Sequence, residues 1–252
     1  MYKAYCFDLD GTIYRGKAGI ESAAQFVHEL QAQGVEPFYL TNNSSKTRET
    51  LQQMLQDIGI TAPLTHIYSS SLATAKYVAS RSKDKRVNVV GEQGIRTALV
   101  EEGLTITDEQ ADILVMGIDR DMTYAKLAKA SSYVQNGAEL IGTNGDIKFP
   151  YEDGFAPGNG SFVNLVANVA GVKPIFVGKP SPVMLQIVAD EHGFTKNEMV
   201  MVGDNYDTDI LCGINFGCDT IHVNTGVTPT ELVKQKEKLP TYCVENLLEL
   251  NK

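Results

Sequence analysis

The chain has 252 residues, 43% of them hydrophobic, and its 31 acidic and 22 basic residues give a formal net charge of −9. A chain of this size can bury a large core in one big domain or two modest ones. The acidic balance, without a dense lysine or arginine face, excludes a protein that binds nucleic acid through a basic surface. No apolar run approaches the roughly 20 residues that a membrane-spanning helix needs.

The first predicted element is a short buried strand at residues 3–8, and Gly11 marks the turn that ends it. Asp8 and Asp10 stand on either side of Leu9, so the alternation of side chains along a strand directs both carboxylates to the same side. Two carboxylates at the exit of a buried strand repel each other and persist only if a cation or a proton compensates them. The alternative is a surface turn, because Asp and Gly are common turn residues.

The rest of the chain alternates short apolar segments with amphipathic ones. Strands are predicted at 3–8, 36–41, 66–69, 87–91, 112–117, 139–142, 174–178, 198–203 and 219–223. Helices are predicted at 21–33, 46–58, 71–81, 93–102, 123–136, 161–170, 182–192 and 207–216. This alternation predicts an α/β fold in which helices cover both faces of a parallel sheet.

Polar segments follow three further predicted strands, and each leads into a helix. They are 41–45 (TNNSS), 179–182 (KPSP) and 203–209 (GDNYDTD). Ligands of open α/β sheets bind at the carboxyl ends of strands, where helix N-termini also offer free N–H groups to anions. The four strand ends together would offer carboxylates, a hydroxyl, amides and one lysine at one edge. Such a set suits a phosphate and a hard divalent cation.

Each later segment also has a simpler interpretation. The segment TNNSS is a good helix cap, and Gly-Lys-Pro is an ordinary turn with a solvated lysine. The three acids Asp204, Asp207 and Asp209 lie within six residues, which turn chemistry explains poorly. The order of the segments, and their shared position after strands, favours a site over four unrelated turns.

These segments resemble the four motifs of the haloacid dehalogenase superfamily. Residues 8–12 (DLDGT) match its first motif, Thr41 the second, Lys179 the third and residues 203–209 the fourth. The stretches 40–44 (LTNNS) and 177–182 (VGKPSP) are similar to those of NagD-like phosphatases, a group that includes 4-nitrophenyl phosphatase. The resemblance covers residues 2 to about 247.

The resemblance implies a Rossmann-like, doubly wound parallel-sheet core with an inserted α/β cap domain. Residues 1–84 and 174–252 would form the catalytic core, and residues 85–173 would form the cap. The implied activity is Mg²⁺-dependent hydrolysis of small phosphomonoesters through an aspartyl-phosphate intermediate.

Catalytic and metal-binding roles follow from the same resemblance. Asp8 is the expected nucleophile, and Asp10 protonates the leaving oxygen and later takes a proton from water. Mg²⁺ would be held by Asp8, the backbone carbonyl of Asp10, and Asp204, because it prefers oxygen ligands. Asp209 is expected to orient Lys179 or a metal-bound water.

The remaining expected site residues hold phosphate or support those that do. Thr41, the amide groups near Asn42 and Asn43, and Lys179 would bind the phosphoryl oxygens. Asn205, like Asp209, is expected to orient the residues that bind phosphate or metal, without contacting either directly. The role of Asp207 stays open.

Other reactions of the superfamily can be weighed from the residues. A dehalogenase has no need for an acid two residues after its nucleophile, and a transport ATPase needs membrane spans. A phosphotransferase or phosphomutase stays open because it shares the first chemical step. A phosphometabolite-binding regulator without turnover is a further alternative. Loss of a first-motif aspartate would indicate such a protein, but Asp8 and Asp10 are both present.

Two unrelated enzyme classes are disfavoured. Residues 91–94 (GEQG) and 158–160 (GNG) do not complete a GxGxxG dinucleotide fingerprint, and the second follows the stretch 149–157, which is predicted to be irregular. The chain has no GxSxG, which disfavours an α/β-hydrolase.

The cap is expected to choose the leaving group. Its candidate contacts are the segments 119–121, 143–146 and 158–161, which could equally be plain loops. Asn144 and Asp146 are singled out as substrate-selecting residues. Sugar phosphates and nucleoside monophosphates both stay open as substrates.

Partners and compartment complete the expectations. The four cysteines and four histidines are scattered, without CxxC or HExxH, which indicates a reducing compartment and no zinc site. A core strand within a few residues of Met1 leaves no room for a signal peptide, so a cytoplasmic protein is expected. The partner would be a small phosphorylated metabolite, with no nucleic acid and no membrane. Members of the group often pair through the cap, which leaves a homodimer open.

Overall fold

The structure is a computed structural model that describes residues 2–35 and 37–251. Its strands are β1 (Ala4–Phe7), β2 (Tyr14–Arg15), β3 (Ala18–Gly19), β4 (Phe38–Thr41), β5 (Ile67–Ser69), β6 (Arg86–Val90), β7 (Thr105–Ile106), β8 (Ile113–Met116), β9 (Glu139–Gly142), β10 (Lys148–Tyr151), β11 (Gly154–Pro157), β12 (Ile175–Phe176), β13 (Met199–Gly203), β14 (Asp219–Val223) and β15 (Tyr242–Val244). Its α-helices are α1 (Glu21–Ala32), α2 (Arg48–Asp57), α3 (Ser70–Ala79), α4 (Gln93–Glu101), α5 (Tyr124–Gln135), α6 (Asn159–Ala170), α7 (Val183–His192), α8 (Leu211–Phe216) and α9 (Thr230–Val233). A π-helical turn, Tyr206–Ile210, precedes α8.

The chain divides into two compact units. The first unit comprises residues 1–41, 48–68 and 179–252. Its six-stranded sheet has the order β15-β14-β13-β1-β4-β5. Strand β1 is parallel to both of its neighbours, β13 and β4. The strands that follow β1 in the chain, β4 and β5, lie on one side of it, and the later strands β13, β14 and β15 lie on the other. The strand order therefore reverses at β1, and ligands of such sheets bind at the carboxyl end of the strand where the order reverses.

The central strands of the first unit are buried along their whole length. Both β1 (AYCF) and β13 (MVMVG) read as continuous apolar runs with every residue buried. This is the pattern of parallel strands that are covered on both faces. Helix α1 buries Phe26, Val27 and Leu30 in the core that includes Phe7 of β1 and Tyr39 of β4. The helix therefore packs near the carboxyl ends of both strands.

The second unit comprises residues 42–47 and 69–178 and has a parallel sheet of its own. The strand order is β12-β9-β8-β6-β7, and each neighbouring pair is parallel. Its core packs strand β8 (ILVM) against Val134 of α5 and Val163 of α6. Strands β10 and β11 form a separate antiparallel hairpin.

The predicted α/β class with parallel sheets is confirmed, and all but one of the predicted elements lie within about two residues of those observed. The predicted helix 207–216 is instead the π-helical turn Tyr206–Ile210 followed by α8, which begins at Leu211. The predicted strand 36–41 includes Glu36, which lies outside the described residues. The stretch 149–157, predicted to be irregular, instead forms most of the β10–β11 hairpin, with Phe149 paired to Ala156. Among the described residues, no helix combines the length and apolar character needed to cross a bilayer.

The predicted strand 174–178 belongs to a different sheet from the one expected. Strand β12 pairs in parallel with β9 of the second unit, with Ile175 opposite Ile141 and Phe176 opposite Gly142. The ring of Phe176 occupies the space that a side chain at position 142 would need. Lys179 therefore does not follow a strand of the first unit's sheet.

The two units divide the chain at 68/69 and 178/179, whereas the sequence predicted boundaries at 84/85 and 173/174. The difference includes helix α3, which packs on α4 of the second unit. Residues 42–47 also belong to that unit.

Candidate active site

Asp8 lies immediately after β1, at the switch point of the first unit's sheet. Its backbone N–H donates to the carbonyl of Val202 on β13, with a distance of 2.8 Å. Its carboxylate oxygen Oδ1 accepts a hydrogen bond from Lys179 Nζ at 2.5 Å. Among the described residues, no hydrogen-bond donor contacts the second oxygen, Oδ2. One oxygen is thus held by a cation while the other is available.

Lys179 is buried, with 2% of its surface exposed, and its ammonium group is surrounded by acceptors. It donates to Asp8 Oδ1, to Asp209 Oδ1 at 2.7 Å and to the carbonyl of Leu40 at 3.1 Å. Burial by itself lowers the pKa of Lys179, but the charges of Asp209 and Asp8 outweigh burial and raise the pKa above its ordinary value. The side chain is therefore a fixed positive charge.

Three buried carboxylates lie close together here, and Lys179 pairs with two of them, Asp8 and Asp209. Asp8, Asp204 and Asp209 each place one oxygen within 4.8 Å of the others. Burial raises the pKa of Asp8 well above its ordinary value, and Asp209 and Asp204 add to that rise while Lys179 opposes it. Burial, with the charge of Asp209, raises the pKa of Asp204 to about 6.

The charges of this cluster bear directly on whether a metal ion fits. Three carboxylates against one ammonium leave two negative charges in excess when all are ionised, in a place where water is scarce. Burying uncompensated charge costs several kcal/mol per ion, so a further cation is favoured. Carboxylate oxygens are the donors that Mg²⁺ prefers. The residues present therefore fit a hard divalent cation.

Asp204 follows β13 and is held at both carboxylate oxygens. Thr12 donates its hydroxyl to Oδ1 at 3.0 Å, and the backbone N–H of Val227 donates to Oδ2 at 2.6 Å. Neither Thr12 nor the loop around Val227 was singled out from the sequence for this contact. The position of Thr12 within the first motif is a sequence signal that could have identified it as a site residue. Val227 contributes through its backbone N–H, which no sequence pattern indicates.

Asp10, the expected acid and base, is exposed to solvent. Its Oδ1 accepts a long hydrogen bond, 3.3 Å, from the backbone N–H of Gly16. Gly16 lies in the tight turn between β2 and β3, and Tyr14 pairs with Asp10 at the start of that hairpin. This hairpin was not predicted from the sequence, because its strands are only two residues long.

The second-motif residues divide between the units. Thr41 is buried at the end of β4 in the first unit. Asn42 and Asn43 belong to the second unit, where Asn43 Oδ1 accepts from the backbone N–H groups of Ser45 and Lys46, at 3.1 and 2.9 Å. Asn43 thus shapes a local turn, and phosphate contact by Asn42 and Asn43 stays a prediction.

The fourth motif separates its acids by environment. Asp209 is buried, accepting from Lys179 at Oδ1 and from the backbone N–H of Asn205 at Oδ2, at 3.0 Å. Asn205 in turn caps the π-helical turn by accepting from the N–H of Asp207. Asp207 is exposed and pairs with Lys236 at 3.0 Å, away from the buried cluster.

The two expected substrate-selecting residues lie in a hydrogen-bonded loop of the second unit. Asn144 is buried; its amide donates to the carbonyl of Asn42 at 2.7 Å, and its oxygen accepts from the N–H of Asp146. Asp146 is partly exposed and accepts from the side-chain amide of Asn42, at 3.3 Å to each oxygen. Contact of either residue with substrate stays a prediction.

The other two candidate cap segments also serve the second unit internally. The amide of Asn159 donates to the carbonyls of Met116 and Asn144 and to the hydroxyl of Thr143. Asp119 accepts from Lys126 Nζ at 2.7 Å.

Known proteins are similar to this chain along nearly its whole length. The family described as haloacid dehalogenase-like hydrolase matches residues 5–105, and the HAD-hydrolase-like family matches residues 176–250. An acid sugar phosphatase of Staphylococcus haemolyticus (strain JCSC1435) is 46% identical over 247 residues, which cover 98% of this chain and 94% of that protein. The 5′-nucleotidase YutF of Bacillus subtilis (strain 168) is 44% identical, covering 98% of this chain and 97% of YutF.

A solved structure is similar as well. NagD from Escherichia coli K-12 superposes with a TM-score of 0.91 at 32% sequence identity, covering 99% of this chain and 98% of NagD. The similarity thus includes both units.

Proposed function

The chain belongs to the NagD-like phosphatases of the haloacid dehalogenase superfamily, and we propose that it hydrolyses small phosphomonoesters with Mg²⁺ through an aspartyl-phosphate on Asp8. The proposed substrates are sugar phosphates and nucleoside monophosphates. This choice is supported by two relatives, one named an acid sugar phosphatase and the other a 5′-nucleotidase. The observation that carries the mechanism is the contact of Asp8 with Lys179 inside a cluster of three buried carboxylates.

The first step transfers the phosphoryl group to the protein. Oδ2 of Asp8 forms a bond to phosphorus, and the bond between phosphorus and the ester oxygen breaks. Asp10 donates its proton to that leaving oxygen, a role that its exposure to solvent allows. Lys179 holds the other oxygen of Asp8, which fixes the orientation of the carboxylate and offsets part of its charge.

The second step returns Asp8 to its starting state. A water molecule attacks phosphorus, the bond between phosphorus and Asp8 breaks, and the Asp10 carboxylate takes the proton of the water. Orthophosphate leaves, and Asp10 is protonated again for the next turnover. The Thr41 hydroxyl is proposed to donate to a phosphoryl oxygen, while Asp209 keeps Lys179 in place through its 2.7 Å contact.

Mg²⁺ is proposed to be held by Asp8, Asp204 and the backbone carbonyl of Asp10. When bound, it would supply positive charge that offsets the phosphate and the buried carboxylates. The clustering of Asp8, Asp204 and Asp209, whose negative charge exceeds that of Lys179 when all are ionised, supports this proposal.

The second unit is proposed to select the leaving group, as an inserted cap does in this family. Asp146 is the stronger candidate of the two expected residues because part of its carboxylate surface is exposed, whereas Asn144 is buried.

A substrate panel tests the proposed function. Purified protein is incubated with 4-nitrophenyl phosphate, sugar phosphates and nucleoside monophosphates, with MgCl₂ or with EDTA, and released orthophosphate is measured. We expect turnover that requires Mg²⁺ and that is lost in Asp8→Asn. Transfer of the phosphoryl group to a second sugar without orthophosphate release would identify a phosphotransferase. Absence of metal-dependent turnover across the panel would contradict the proposal and favour a phosphometabolite-binding protein.

A further inference from the structure

Asp204 has less freedom than Asp8, the other carboxylate that is proposed to bind the metal ion. With 1% of its surface exposed, it accepts one hydrogen bond at each oxygen, from the hydroxyl of Thr12 and from the N–H of Val227. An ionised carboxylate offers about four lone-pair sites on its two oxygens. Two donors therefore fix its orientation and leave lone pairs for a cation.

Gly226 leaves the space that this orientation of Asp204 needs. A Cβ at position 226 would lie 1.9 Å from Asp204 Oδ2 and 2.4 Å from Cγ, far inside van der Waals contact. The backbone of Gly226 does not have a left-handed φ, so space rather than conformation accounts for the glycine. Any side chain here must displace the carboxylate or the loop.

The loop that carries Gly226, residues 224–228, is itself anchored on both sides. On one side the Thr225 hydroxyl donates to the carbonyl of Gly11 at 2.6 Å, and Arg15 Nε donates to the carbonyl of Thr225 at 2.7 Å. On the other side the N–H of Thr228 donates to the carbonyl of Asp204 at 3.2 Å. The Val227 amide is therefore presented to Asp204 by a loop that is fixed before any ligand binds.

We propose that Thr12, Gly226 and the backbone N–H of Val227 form a positioning group that holds Asp204 in the orientation that binds the divalent cation. The inference rests on the proposed use of Mg²⁺ and adds to it residues that the four motifs do not assign to the metal. Groups that orient a metal ligand in this way typically contribute 10- to 100-fold to affinity or activity. The three act on the metal only through Asp204.

Thr12→Val and Gly226→Ala test the proposal by two independent changes. The first removes the hydroxyl donor at nearly constant volume, and the second fills the space beside Oδ2. Thr12→Ser keeps the donor and should restore the wild-type response. Thr230→Val is the matched control, because its buried hydroxyl has no hydrogen-bond partner among the described residues.

The measurement is the rise in Tm of the substrate-free protein as MgCl₂ is added, which yields an apparent Kd without any activity. We expect Thr12→Val and Gly226→Ala to bind Mg²⁺ about 10- to 100-fold more weakly, while Thr12→Ser and Thr230→Val match the wild type. The Tm in EDTA shows whether each variant folds. If a variant does not fold, Thr12→Ala is tested in its place.

Three results would overturn the inference, and they are distinguishable. If the wild type responds to MgCl₂ and both Thr12→Val and Gly226→Ala respond equally, the positioning group is wrong while the proposed function stands. If the wild type shows no response, the proposed use of Mg²⁺ and this inference both fall. A weakened response in Thr12→Val that Thr12→Ser does not restore also counts against the proposal.

Discussion

The two units place polar side chains at the carboxyl ends of their parallel sheets, but the two sets differ in charge. In the first unit, Asp8, Asp204 and Asp209 cluster together, and Lys179 pairs with Asp8 and Asp209. In the second unit, Asn144 and Asn159 form hydrogen bonds with neighbouring backbone, and the buried Asp119 has its own partner, Lys126.

This difference shows what the sheet topology provides and what it does not. Parallel strands bring polar residues together at one edge in both units. Hydrogen bonds satisfy most of the second set, although the buried oxygen Oδ1 of Asn159 has no partner among the described residues. In the first set, three carboxylates face one lysine, so negative charge is in excess when all of them are ionised. An excess of buried charge is the feature that indicates chemistry here, because it is costly unless a ligand offsets it.

The largest effect is expected at the nucleophile. Asp8→Asn should lower kcat by at least about 10³-fold, because the amide oxygen cannot form the aspartyl-phosphate. Asp207→Asn makes the same chemical change on an exposed side chain paired with Lys236 and should keep nearly full activity. Orthophosphate release from 4-nitrophenyl phosphate measures both. Comparable activity of Asp8→Asn and the wild type would contradict the mechanism.

The next effect concerns stability. Lys179→Met removes the cation that pairs with the buried carboxylates of Asp8 and Asp209, and the free energy of unfolding should fall by about 3–5 kcal/mol in EDTA. Lys129→Met, the control in the second unit, removes a lysine from an exposed pair with Asp108 and should leave the free energy of unfolding nearly unchanged. Urea unfolding measures both values. An equal loss in the free energy of unfolding of the two variants would show that Lys179 does not offset unfavourable charge in the buried cluster.

Asp204→Asn should separate metal binding from folding. The variant should lose the Mg²⁺-dependent rise in Tm, yet be more stable than the wild type in EDTA at pH 7, by on the order of 1 kcal/mol. The reason is that it removes an excess buried charge whose pKa is raised. The amide can keep both contacts, because the hydroxyl of Thr12 accepts as well as donates.

Asp119→Asn is the corresponding change in the second unit and should have the opposite sign. It breaks a pair with Lys126 and should lower stability by on the order of 1 kcal/mol. The same thermal unfolding in EDTA compares the two variants. A loss of stability in both would contradict the contrast between the sheets.

The smallest effect on catalysis distinguishes the two candidate residues of the second unit. Asp146→Ala should change the ratio of kcat/KM values between sugar phosphates and nucleoside monophosphates while 4-nitrophenyl phosphate hydrolysis stays nearly intact. Asn144→Ala should instead lower stability by about 1–2 kcal/mol, because the carbonyl of Asn42 loses a buried donor. Uniform loss of activity on all substrates in Asp146→Ala would indicate a structural role for that residue too.

Much of the fold could be predicted from the sequence because its signals are local. Buried strands such as β13 are continuous apolar runs, and helices such as α5 carry an apolar stripe. Short pairings were missed, because two-residue strands such as Tyr14–Arg15 have no periodicity to detect. The β10–β11 hairpin was missed because Lys148–Tyr151 and Gly154–Pro157 have largely exposed residues and no buried face.

The sequence by itself determined the α/β class and the four polar segments, because periodicity and motif spacing are properties of neighbouring residues. Only the tertiary structure decided that β12 joins the second sheet and that Asp209 meets Asp8 around one lysine. It also decided that Thr12 reaches Asp204, which is 192 residues away in the chain. Such contacts depend on strand order and side-chain packing, which no local pattern encodes.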